Sequence, residues 1–237
     1  MGVCALALVL SLSLAAAAAA KGTQASLRVV GKGGKVLTEQ KLRTGTIAIK
    51  TSPKATCFGA GTGGSGKSLE VRGATALGLL AQASKKTASL RPLLITDAFD
   101  FGLGICGVGG STVHGKASWY LKVNHRASQV GGEATKLRPG DEVLWDLAPS
   151  YPYPNELALE APPAVTVGAP FVVHVYSYDE KGKRKPVAGA TVTGASGPTA
   201  SDGSATVTVL GPTRLRATHG TEIPSAAVCV AGSCSGR

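Results

Sequence analysis

Two short strands, each carrying one tryptophan, constrain this chain more than any other feature. They lie in residues 118–148, SWYLKVNHRASQVGGEATKLRPGDEVLWDLA. In the first, Trp119, Leu121 and Val123 alternate with Tyr120 and Lys122. In the second, Val143, Trp145 and Leu147 alternate with Leu144 and Asp146. Such period-two patterning predicts half-buried antiparallel strands. If the two pair, both indoles lie on one face as neighbours. Core packing is the first expectation for these rings, because a tryptophan buries so much apolar area. The alternative is an aromatic platform for a flat ligand or a sugar ring. Trp119, Tyr120 and Trp145 would form it, rimmed by Lys122, Asn124 and Arg126.

The rest of the chain suits short strands better than helices. It holds 32 glycines and 13 prolines, and only 5% of it is aromatic. A hydrophobic content of 43% is still enough for globular cores,. Its 237 residues allow one large or two small domains,. Residues 1–20 read as a signal peptide: a short apolar run, then small residues before Lys21,. The run is far shorter than the roughly 20 residues of a spanning helix. The absence of Lys or Arg in residues 1–4 departs from the usual leader.

Behind that leader remain Cys57, Cys106, Cys229 and Cys234. An even number in an exported chain predicts disulfides, and we pair Cys57 with Cys106 and Cys229 with Cys234. The segment CVAGSC has the wrong spacing for a redox motif,. The net charge of +11 points outside the cell to anionic lipid headgroups, anionic wall polymers or acidic glycans rather than nucleic acid,. Only KGKRK, at 181–185, is a dense basic run, and it reads as a solvated hairpin loop,.

Along the chain, 27–30 and 35–41 form a predicted hairpin, and 47–50 and 68–72 are short strands,. Residues 75–86 are the one clear helix. Leu77, Leu80, Ala81 and Ser84 make its stripe, with Thr75 as cap and Lys85 and Lys86 at its end,. Residues 97–110 read as a glycine-rich loop. APSYPYPN, at 148–155, reads as a stiff linker,. Beyond it, short alternating segments separated by turn residues predict an antiparallel sandwich.

The pieces ATALGLLAQA, TDAFDFGLGICGVGG, WYLKVNH and LRPGDEVLW together resemble DUF4430, a domain family related to the C-terminal β-domain of transcobalamin and intrinsic factor. The resemblance covers about residues 27–148. It implies a β-grasp-like fold, a mixed sheet wrapped around one helix, and raises a corrinoid-like small molecule as ligand. This chain has no room for the helical barrel that holds most of the corrinoid in transcobalamin-type proteins. PVAGA and ASDGSA in the second half resemble bacterial immunoglobulin-like or prealbumin-like surface modules. The combination is similar to exported proteins of high-GC Gram-positive bacteria.

Residues 61–68, GTGGSGKS, match the P-loop pattern. A working P-loop needs a hydrophobic strand before it and a helix at its Lys-Ser. The flanking sequence offers neither, so the match reads as chance. His114, His125, His174 and His219 are scattered without metal-ligand spacing,. His174 reads as a core-edge residue and His125 as exposed. Asp97 and Asp100 could act as acid and base, or bind calcium, but turn-forming aspartates are the simpler reading. A wall-acting hydrolase would need Asp97, Asp100 and His114 to converge.

The sequence therefore predicts a mainly β protein. Residues 21–148 are α+β and β-grasp-like, 149–155 a Pro-rich linker, and 156–237 an immunoglobulin-like sandwich. The expected function is non-catalytic binding or adhesion at the bacterial envelope, with no cofactor and no metal. The expected partner is an anionic polymer, another surface protein or a small molecule. No nucleic acid and no transmembrane helix in the mature chain are expected.

Overall fold

The computed structural model describes residues 22–234; the leader expected over residues 1–20 lies outside them. The chain is mainly β, an α+β body with one helix followed by an all-β body. In the first body, β1 (Thr23–Val30), β2 (Val36–Thr44), β3 (Ile47–Lys50) and β4 (Ser68–Val71) precede helix α1 (Ala76–Lys86). Then come β5 (Leu93–Phe99), β6 (Gly102–Val108), β7 (Ser111–Thr112), β8 (Ser118–Val123), β9 (Arg126–Ala127) and β10 (Glu142–Ala148). The main sheet has the order β2-β1-β10-β8-β9. Its first and last long strands, β1 and β10, run parallel, and its other pairs are antiparallel. Hairpin, helix and returning strand thus wrap one sheet around α1.

Local chemistry explains the helix. Thr75 is extended and its hydroxyl accepts from the Gly78 amide at 3.0 Å, satisfying one of the N–H groups left open at a helix start,. Lys85 and Lys86 sit where the helix dipole favours cations,. Leu77, Leu79 and Leu80 are fully buried against Leu27, Val29, Val143 and Trp145 of the sheet.

Residues 97–110 are not the expected loop. They continue β5, turn, and form β6, which pairs with both β5 and β7. Glycine is a poor strand former, so composition pointed to a loop. Here the missing side chains make room: a Cβ at Gly104 would press on Phe99 and Thr96.

The second body contains β11 (Glu156–Glu160), β12 (Phe171–Tyr178), β13 (Arg184–Pro186), β14 (Thr191–Val192), β15 (Ser204–Val207), β16 (Thr213–Leu215), β17 (Ala217–Thr218) and β18 (Val228–Val230). β12 is central, pairing with β11, β13 and β15. The small pairs β14-β17 and β16-β18 help enclose a separate core of Leu157, Val173, Val175, Val207 and Leu215. Lys181 and Lys183 lie in the loop between β12 and β13, where Asp179 accepts from both backbone amides at 2.9 Å. The expected disulfides are both present, Cys57–Cys106 and Cys229–Cys234. No helix among the described residues is long and apolar enough to cross a membrane.

The two bodies share a face. Val30, Tyr120, Leu144 and Ala148 of the sheet pack with Ile223 and Tyr153. Beside them lies a buried ion cluster. Glu156 pairs with Arg28, with Lys122 at 3.3 Å and with His125 at 3.1 Å. Lys122 also donates to the carbonyls of Tyr178 and Asp179. A second bridge joins Arg216 to Glu39 through two hydrogen bonds of 2.9 and 2.7 Å.

Candidate functional site

β8 and β10 pair in the register that sets Trp145 opposite Leu121 and Leu147 opposite Trp119. Both indoles therefore lie on the helix-facing side, as the alternation predicts. Their environments differ. Trp145 is 4% exposed and donates from Nε1 to the Ala76 carbonyl at 3.4 Å, anchoring the start of α1. Gly132 crosses its ring so closely that a Cβ would stand 2.8 Å from it. Trp119 is only half buried, at the margin of the core.

That margin opens into a groove of about 600 Å³. The chain has four Phe, two Trp and five Tyr. Eight of these eleven line the groove: Phe58, Phe99, Phe101, Trp119, Tyr120, Trp145, Tyr151 and Tyr153. Phe58, Phe101 and Tyr151 are 56, 78 and 75% exposed. Phe99 and Phe101 stack with centroids 4.9 Å apart, Tyr120 and Tyr153 at 4.3 Å, and Tyr151 meets Tyr153 edge-on at 5.7 Å. Clustered exposed rings are a feature that interaction sites commonly present.

Two polar side-chain atoms are sealed behind the groove lining. Trp119 Nε1 and Tyr120 Oη are buried without a partner among the described residues. Burial first, and the negative charges of Glu180 and Glu156 next, push the Tyr120 phenol well above its ordinary pKa, so it stays a neutral hydroxyl,. Glu180 is the one ionisable carboxylate in the lining, and no Lys, Arg or His is there.

The expected rim is placed elsewhere. Lys122 belongs to the opposite face of β8, is 1% exposed, and points into the ion cluster. Even positions of β8 meet the second body, and local alternation cannot show what covers that face. Asn124 forms the tight β8–β9 turn at φ 49°, donating to Asp141 and accepting from the Glu142 amide at 2.9 Å. Arg126 is exposed and lies across Gly182. His125, read as exposed, stacks on Tyr178 at 4.0 Å in the interface.

Sequence reasoning missed Phe58, Phe99, Phe101, Tyr151, Tyr153 and Glu180. Scarcity was the available signal: in an aromatic-poor chain, FDF and YPY are local concentrations. A larger cleft of about 820 Å³ lies between the bodies, bordered by Arg28, His125 and Glu156. Those groups already neutralise one another. Asp97, offered as an acid, accepts from Ser65 N and Oγ at 2.6 Å each, and these bonds hold its carboxyl below the usual range. The same bonds pin the P-loop-like segment, which runs on into strand β4 rather than a helix. His114 Nε2 is 2.7 Å from Thr112 Oγ1. No family model, curated protein or solved structure matches this chain.

Proposed function

We propose that the protein is a non-catalytic recognition protein of the bacterial envelope, with the aromatic groove as its binding site. The observation that carries this is the gathering of eight of eleven aromatic side chains in one groove. The net charge of +11 supplies weak, salt-sensitive attraction to anionic polymers, and the groove supplies specificity,. Two disulfides fit an oxidising exterior,. Membership of the first body in DUF4430, and of the second among immunoglobulin-like modules, belongs to the same proposal. It is supported by the parallel first and last strands around one helix and by the antiparallel second body.

Dye displacement tests the site. A solvatochromic apolar dye should bind the protein and be released by at least one fraction of an envelope extract. Phe58→Ser/Phe101→Ser should lose the dye while keeping its melting temperature. Displacement by no fraction, or dye binding unchanged in the variant, overturns the assignment.

A further inference from the structure

The groove is bounded by an open edge of the main sheet. Backbone groups of successive strand residues point to alternate sides. In β8 the even positions face β10, as shown by the Asn124 amide continuing that ladder to the Glu142 carbonyl at 2.9 Å. The odd positions face outward. There, β9 covers only Lys122 and Val123, and Ser128 closes one more bond to the Leu121 carbonyl at 2.9 Å. The chain then leaves the ladder. The Trp119 N–H and C=O and the Leu121 N–H have no backbone partner among the described residues, and both residues line the groove. Natural sheets usually cover or charge such edges. This one is flanked by exposed aromatic rings instead.

We infer that the groove takes an extended polypeptide that pairs with β8 as an added strand, with alternating apolar and basic side chains. This rests on the proposed binding role of the groove and names its ligand class. The alternation follows from the two faces of β8. Side chains of an added strand beside Trp119 enter the half lined by the phenylalanines of the β5–β6 hairpin, whose Ile95 and Ile105 share the helix-side core with Trp119. Side chains beside Tyr120 enter the half where Tyr153, Tyr151 and Glu180 stand. That half offers π faces and one carboxylate in a chain that is otherwise strongly cationic,. A lysine or arginine is the complementary group, and an anionic polymer is disfavoured there.

The probe is a short peptide alternating valine and lysine, read by dye displacement and by amide shifts of Trp119 and Leu121. Three controls accompany it: the same peptide N-methylated at alternate amides, a valine–glutamate version, and soluble wall glycan. The valine–lysine peptide should displace the dye. N-methylation on the pairing edge should weaken it about tenfold, the worth of one or two hydrogen bonds. Glu180→Gln should weaken the lysine peptide several-fold and leave an alternating valine–serine peptide unchanged. Equal binding of the methylated and plain peptides overturns strand pairing. Preference for the glutamate version overturns the charge assignment. Displacement by glycan alone overturns the peptide ligand while the groove remains the site. Displacement by nothing removes both. Concentration-dependent self-association that occludes the dye would make the occupant a second copy and also overturn the inference.

Discussion

Glu156 and Asp146 are both buried acids on the shared face, and their surroundings drive them apart. Burial alone would raise Glu156, but His125, Arg28 and Lys122 outweigh it and hold the carboxyl below its usual range. Asp146 has only Arg28 to oppose its burial and is pushed up to about 7,. The folded state therefore keeps a proton on Asp146 that the unfolded chain releases. Its contribution to stability is present at low pH and is lost as pH rises from about 4 to about 7. Asp146→Asn should abolish that loss, gaining on the order of 4 kcal/mol over wild type above neutrality and little in acid. Urea midpoints across that range measure it. Glu156→Gln leaves Arg28 and Lys122 buried without their counter-ion and should cost about 3–5 kcal/mol in the same assay. These roles were hidden in the sequence. Lys122 alternates with apolar residues as a solvent-facing lysine would, and only the second body, far along the chain, buries it.

At the level of elements, legibility followed the range of the controlling interaction. Helix α1 was readable because its cap, stripe and terminal lysines all lie within a few residues of one another. The placement of Trp119 and Trp145 on one face was readable from alternation, given that their strands pair. β6 was not, because Gly104 and Gly107 answer to what presses on them from β5 and β7 rather than to strand propensity,. The β8–β9 turn is the other local device. Asn124 and His125 both hold positive φ, at 49° and 67°, as a two-residue hairpin turn requires,. Asparagine tolerates this conformation and alanine does not. Asn124→Ala should destabilise by about 1–2 kcal/mol, counting the lost bonds to Asp141 and Glu142,. Because that turn aims the open edge of β8, the variant should also weaken dye binding. A thermal melt and one titration check both.

Across the whole molecule, the two cores are coupled through a polar face. Arg28–Glu156 and Arg216–Glu39 cross it, flanked by Tyr120, Tyr153 and Ile223. Calorimetry should show one transition for the intact protein. Breaking both bridges, with Glu156→Gln and Glu39→Gln together, should split it into two as the bodies unfold separately. A single transition in that double variant would place the coupling in the apolar contacts instead. Residues 149–155 make no regular element, yet Tyr151 and Tyr153 within them stand in the groove wall beside Glu180 of the second body. The joint is thus part of the groove wall. Cut there, or spliced to a foreign neighbour, either fragment would carry away only part of that wall. Lineages that shuffle such modules freely should find this pair inherited as one piece.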